Sequence, residues 1–403
     1  MSATPSPALV WLRRNLFRSP ADGILTVVSA VIVATVVYRT ARFVAVTGRW
    51  EIIEVNLRLL MVGRFPDIHL PRVSISLAVA AFVGGLVAGV VHRRQVAAGT
   101  SAVAHLGTGR RALDLLERFW PVLAGAALLL ALSRTTGPWV TVAGALAAGM
   151  AGRLIGARLP AVVHPGVVLG AVITPFALVA YLADAVGWDG WGGLMLNVFM
   201  AVASIILCFP LGVLAALGRR STLPAVRWVS TAYIELFRGV PLFVLLLMSG
   251  AALGFFVPVD AAPGRVVRAI VVFTLFTGAY MAEIVRGGLQ SLPKGQPEAA
   301  RALGLSPTKV TFLIVLPQAL RNVIPAQVGQ LISLFKDTTL AGFALGLFEL
   351  LNVSRGITSQ DAFRGQPLLP EVLAFVALLF WIGSYTMARE SQRLERKLGV
   401  GER

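Results

Sequence analysis

The residues of this chain that could do chemistry are few, and most lie in its second half. One long polar stretch runs Glu283-Ile-Val-Arg-Gly-Gly-Leu-Gln-Ser-Leu-Pro-Lys-Gly-Gln-Pro-Glu-Ala-Ala-Arg-Ala-Leu-Gly-Leu-Ser-Pro-Thr-Lys. Local signals divide it into short helices. Gln296 precedes Pro297, which suits a first helical position. Glu298-Ala-Ala-Arg-Ala-Leu then gives about two turns with an acid at the positive helix end, and Gly304 supplies a left-handed stop. Ser306-Pro307 repeats the start signal for the next helix. The expected product is a stubby helix bearing Glu298, Ala299, Ala300 and Arg301, firm enough to transmit a push, with alanines that let another surface approach closely. An ordinary amphipathic loop helix would carry the same local signals. Further on, Lys336-Asp337-Thr338-Thr339 interrupts a run of Leu, Phe, Ala and Gly. Adjacent charges in such a run are costly unless they face a partner or a watery cavity. Glu235 and Arg238, like Glu283 and Arg286, stand three apart, so each pair shares a helix face and reads as an interfacial ion pair.

What the chain lacks excludes several chemistries. The single cysteine, Cys208, lies in an apolar block and rules out an intramolecular disulfide or a cysteine-rich metal site. His69, His92, His105 and His164 are scattered without metal-ligand spacing, so no metal site is expected. None of Lys294, Lys309, Lys336 or Lys397 follows a glycine, and the phosphate-cradling Gly-x-x-x-x-Gly-Lys-Ser/Thr pattern is absent. No nucleophile and base, and no metal constellation, share one depth. The chain is expected to be no enzyme and to carry no cofactor of its own.

The elements that must position these residues are membrane helices. Of the 403 residues 57% are hydrophobic and only 14% charged, where soluble domains carry about 25% charged. The mean hydropathy is +0.79. The apolar blocks are long enough to cross roughly 30 Å of hydrocarbon at about 20 residues each, and helix is the state that satisfies their backbone internally. The net charge of +17 would suit nucleic acid. Its placement at the ends of apolar blocks instead matches cytoplasmic loops that collect arginine and lysine.

Ten spans are predicted, at 23–38, 75–91, 119–133, 137–152 and 166–186, then 192–217, 238–257, 266–283, 317–345 (broken or tilted) and 371–388. Spans three and four are short and separated only by Arg134-Thr-Thr-Gly, so they read as a tight hairpin. With the N-terminus in the cytoplasm, 22 Lys and Arg fall inside and 11 outside, Arg238, Arg321 and Lys336 being set aside as boundary residues. Both termini are therefore expected inside. Loop 39–74 holds six of the 11 outside residues, and its Trp50–Gly63 stretch reads as a helix lying at the membrane interface. The basic stretch Trp11–Arg18 precedes an apolar run with no clear cleavage site, so no cleavable signal peptide is expected. The Gly/Trp-rich turn at Gly187–Gly193 divides an extension of five spans (1–189) from a five-span core (190–395). No internal repeat is evident, which counts against transporters built from two related halves.

Glu298-Ala-Ala, Gly304 after three further residues, and Ile314-Val-Leu-Pro317 after nine more resemble the EAA signature of ABC importer permeases at its full spacing. Tyr233-Ile-Glu-Leu-Phe-Arg-Gly-Val-Pro-Leu, Ala282-Glu-Ile-Val-Arg-Gly-Gly-Leu, Leu316-Pro-Gln-Ala-Leu-Arg and Phe335-Lys-Asp-Thr-Thr-Leu are similar to its histidine, glutamine and general L-amino-acid branch. This resemblance covers residues 190–395. Trp11-Leu-Arg-Arg-Asn-Leu-Phe and Leu57-Arg-Leu-Leu-Met-Val-Gly-Arg-Phe-Pro look like a subgroup with an N-terminal membrane extension. Residues 93–186 carry no such match.

With the count of about ten spans, the resemblance implies an all-α polytopic fold in the cell inner membrane, with a C-terminal five-helix permease core. It implies that the loop at 284–317 is a coupling element seated on an ABC ATPase, through Glu298, Ala299, Ala300, Arg301, Gly304 and Pro317. ATP and Mg would be bound by that separate ATPase dimer. A second permease subunit (paralogue or second copy) and an extracytoplasmic amino-acid-binding protein would complete the importer, and polar amino acids would cross by alternating access. An amino-acid substrate presents a carboxylate and an ammonium. Lys336, Asp337, Thr338 and Thr339, with Tyr280 and Glu283 on the preceding span, are therefore candidate residues of its path. Lys336 and Asp337 could equally pair with neighbouring helices as structure. The alternative reading is an ion-coupled secondary amino-acid transporter using Glu283 or Asp337, which leaves the EAA spacing unexplained.

Overall fold

The computed structural model describes residues 11–12, 14–97, 108–133, 135–252, 255, 257–258 and 262–399. His105 and Arg134 of the predicted hairpin turn lie outside them. Among the described residues the chain is helical, and the one β-type contact is an isolated parallel bridge between Gly193 and Glu349. Residues up to Glu51 and those from Ile52 onward form two compact units.

The first unit is built on α1 (Pro20–Arg42), which continues through a π-helical turn at Phe43–Thr47. Ser19 caps α1 by accepting from the Asp22 amide, with Pro20 at the first position. None of its side chains is buried, as suits a helix apolar on every side.

The second unit begins at Ile52, within α2 (Glu51–Val62). The sequence places this helix at the lipid interface; the structure buries Ile52, Ile53, Asn56, Leu57 and Leu60 in the protein instead. Its apolar face is a packing face. Gly63, at φ +65°, brings the backbone so close to Gly192 that a side chain would not fit. Phe65 then meets the edge of Trp191 at 6.3 Å, Arg64 lies 4.0 Å over the Phe348 ring, and Gln360 donates to Asn56 at 2.8 Å. Packing therefore runs directly across the Gly/Trp turn.

Four longer helices fill out residues 70–185: α3 (Leu70–Ala97), α4 (Thr108–Leu132), α5 (Gly137–Arg158) and α6 (His164–Ala185). Helices α3 and α5 touch backbone to backbone, because Gly85, Gly89, Gly152 and Gly156 each face a carbonyl oxygen of the partner. Small residues allow this approach in membrane helices. Helix α6 packs on α3, and α4 on the last helix of the chain, where Trp120 joins Trp381 and Tyr385.

The second half contains α7 (Gly193–Arg219), α8 (Pro224–Gly239), α9 (Leu242–Ala251) and α10 (Arg265–Gln290). Helix α8 meets α9 at a 99° bend, because Val240-Pro241 removes the amide that would continue the helix. The loop helix α11 (Gly295–Ala302) precedes α12 (Leu316–Asn322), α13 (Ile324–Asp337), α14 (Leu340–Leu345), α15 (Leu350–Ile357) and α16 (Leu369–Leu398). One buried cluster gathers Phe65, Trp191, Met200, Leu246, Phe273 and Leu334. A second gathers Ala216, Ile234, Met281, Val285, Leu316 and Ala319 below the loop.

Each of the ten predicted spans overlaps helix among the described residues. Among the described residues six helices are long and apolar enough, or eight if each bent pair counts as one span. The block at 119–133 supplies only the shorter apolar stretch Trp120–Leu132. The block at 317–345 is three helices, interrupted ahead of Pro325 and again at Thr338-Thr339.

Candidate functional site

The loop after α10 folds as a capped lever. Helix α11 starts at Gly295, two residues before the start read from Pro297, so proline sits in its first turn without needing an amide partner. Glu298 lies in that turn, at the positive end of the helix dipole. The stop falls where the sequence places it: Gly304 has φ +78°. Its amide donates to the Arg301 carbonyl at 2.9 Å and that of Leu305 to Ala300 at 3.2 Å, the paired bonds of a Schellman cap. Ser306 opens the next segment by accepting from the Lys309 amide. That segment passes through a π-helical stretch, Val310–Val315, against which α11 packs. Ala300 is buried, while Glu298, Ala299, Arg301 and Leu303 are exposed, Leu303 at 83%. Pro317 is exposed at the start of α12. One side of α11 is thus anchored and the other left open.

Beside the loop the charged residues form one knot rather than two separate pairs. Glu283 and Arg286 bond at 2.7 Å as their spacing implies. Glu235, however, pairs at 2.9 Å with Arg219, the last residue of α7, rather than with Arg238. Arg219 also reaches Glu283 at 2.8 Å, and Arg238 approaches it at 3.8 Å. Arg238 lies 5.5 Å over the Tyr280 ring. Tyr280 and Glu283, expected on the same path as Lys336 and Asp337, are therefore engaged by arginines of α7, α8 and α10. Arg219 was legible only as one more basic residue ending an apolar block; its bridging position depends on tertiary packing.

Lys336-Asp337-Thr338-Thr339 sits at a helix break. The Thr338 hydroxyl donates to Phe335 O at 2.7 Å and that of Thr339 to Lys336 O at 2.9 Å, side-chain bonds that compete with helix continuation. Lys336 is exposed and Asp337 half-buried, whereas Thr338 is fully buried. Thr338 also accepts from Asn197 at 3.0 Å, so its hydroxyl is occupied from within the protein. Asn197 donates in addition to Glu349 at 3.2 Å and accepts from the Leu350 amide at 2.8 Å. Glu349 caps α15, accepting from the Leu351 and Asn352 amides. Burial pushes its carboxyl up to about 7, against the lowering effect of these three donors. Asn197 and Glu349 were missed in the sequence. The available signal was an acid standing directly before a short apolar helix.

Residues 208–399 match the family described as binding-protein-dependent transport system inner membrane component. An inner membrane amino-acid ABC transporter permease protein of Escherichia coli is 45% identical over 211 residues, which are 52% of this chain and 57% of that protein. A glutamate/glutamine/aspartate/asparagine transport system permease protein of Rhodobacter capsulatus is 44% identical over 211 residues, 52% of this chain and 48% of that protein. A probable glutamine ABC transporter permease protein of Bacillus subtilis is 36% identical over 208 residues, 51% of this chain and 91% of that protein. The chain belongs to this family of inner membrane components, and its match spans about half the length of the first two relatives.

Proposed function

We propose that this chain is the permease subunit of a binding-protein-dependent ABC importer that carries polar amino acids across the inner membrane. The observation that carries the reading is the capped loop helix α11, buried at Ala300 and open along Glu298, Ala299, Arg301 and Leu303. Such a helix can receive a push on its open side and pass it to α10 and α12 without fraying. The push would come from an ATPase dimer that binds ATP and Mg, while a second permease subunit completes the path and a loaded amino-acid-binding protein docks outside. Both termini and α11 lie in the cytoplasm in this reading, and the N-terminal five-span extension precedes a core at 190–395. The names of the three relatives support an amino-acid cargo. Lys336 and Asp337 offer one charge of each sign for it at the helix break, with Thr339 beside them and Thr338 supporting from within. Glu283, one of the two acids (with Asp337) that an ion-coupled mechanism would use, is held among three arginines.

Reconstitution tests this reading. Uptake should require the ATPase and the loaded binding protein together. Gly304→Val should insert normally yet lose ATPase stimulation by that protein, because a β-branched residue resists positive φ. Uptake driven by an ion gradient without the ATPase would defeat the proposal. Unchanged uptake in the Gly304 variant would remove the lever.

A further inference from the structure

Asn197, Thr338 and Glu349 are each 0% exposed, although they come from α7, the α13–α14 break and the start of α15. Buried polar groups of this kind are retained only when hydrogen-bonded. Thr338 and Glu349 bond within their own elements to Phe335 O and to the Leu351 and Asn352 amides, and Asn197 ties both to α7. Asn197 reaches Thr338 and Glu349 with its amide nitrogen and takes the Leu350 amide on its oxygen. Next to it the Gly193 amide donates to Phe348 O at 2.8 Å. Gly342 of α14 comes so close to Glu349 that a Cβ would collide with the carboxylate. The connection between α13 and α15 is thereby held from both sides. Lys336 and Asp337 lie two residues and one residue before the held Thr338, Lys336 exposed and Asp337 half-buried.

We propose that Asn197 and Glu349 are positioning residues of the transport path: by locking the break at Thr338 to α7 and α15, they set where Lys336 and Asp337 point. Helix α7 ends at Arg219 in the charged knot beside the loop, so a displacement of α7 is carried to the break through Asn197. The two ends of α7 thus join the lever to the charged pair. This assignment rests on reading Lys336 and Asp337 as lining the path, but the positioning itself can be measured without substrate.

The single cysteine, Cys208, is buried, so Cys208→Ala gives a silent background. In the purified complex with its ATPase, Lys336→Cys is labelled with a thiol-reactive maleimide, and Gln296→Cys on α11 serves as the control. Adding Asn197→Leu or Glu349→Gln should change the labelling rate at 336 by about fivefold or more, the effect of losing roughly one buried hydrogen bond. The rate at 296 and the yield of complex should stay within about twofold. An unchanged rate at 336 in an assembled complex overturns the proposal. So does an equal change at both sites, or failure of both variants to assemble, since each would make the node a general requirement of the fold. Protection of Lys336→Cys by amino acid is read separately. Its absence would sink the path assignment and leave the positioning result standing.

Discussion

Two helix pairs in this protein are packed by opposite means. Helices α3 and α5 meet through glycine, with the backbone of one against the backbone of the other at four places along their length. Helices α7 and α10 meet mainly through side chains. Met281 fills the space at Gly212, where one backbone approach to the Gly278 carbonyl also occurs, Ser204 donates to Ile270 O, and the pair closes at the bond between Arg219 and Glu283. A backbone-packed pair leaves little room for a second arrangement, since a slide brings bulkier residues of one helix against the carbonyls of the other. A side-chain-packed pair can change rotamers and ion partners. Helices α3 and α5 thus read as a rigid pair, and α7 and α10 as a pair able to take two arrangements.

Changes in the two pairs should fail in different ways. The largest effect is expected at Gly152→Leu, whose side chain must enter the space of the Phe82 carbonyl. A loss of at least about 3 kcal/mol follows from such overpacking, and membrane yield should collapse. Whatever complex survives should transport at the normal rate per molecule. Normal yield with slowed transport would place the moving part at α3 and α5 and reverse the comparison.

Next comes Asp337→Asn. Because Lys336 is exposed, removing the neighbouring charge strands no buried cation, and complex yield should hold. Uptake should fall by about tenfold if the carboxylate meets a substrate ammonium, as the loss of one charge-assisted contact of roughly 1.5 kcal/mol implies. Falling yield with unchanged uptake per complex would return Asp337 to a structural role.

The smallest expected effect is at Arg219→Ala. Its bond to Glu283, which is 15% exposed, should outweigh its bond to Glu235, which is 58% exposed, because solvent screens the second. A loss of about 0.5–1 kcal/mol, or a degree or two in melting temperature, is expected together with slower ATPase stimulation. A Glu235→Gln change that destabilised equally would show that the knot is not centred on Glu283.

The sequence made some of this legible and left the rest to packing. Gly304 and Ser306-Pro307 act through backbone conformation and local bonds, so their roles could be read directly. Pro297 misled by two residues because proline is tolerated throughout a first turn, not only at its first position. Trp50–Gly63 was amphipathic as expected, but periodicity does not distinguish lipid from protein as the cover for an apolar face. The partners of Glu235 and Asn197 lie across tertiary contacts, the second bridging 141 residues to Thr338. Spacing along a helix suggests the neighbour three residues away, and for Glu235 that was the wrong arginine.

The charged knot also bears on how the chain is made. Arg219, Arg238 and Arg286 outnumber Glu235 and Glu283, so the cluster keeps one positive charge in excess while every acid in it is bonded. In the proposed orientation that surplus lies on the side where arginine holds a segment back during insertion. The same side chains thus act twice, first as retention signals before the helices have met and afterwards as ties between them. Replacing one of these arginines with a neutral residue should therefore be felt at the translocon as well as in the folded chain.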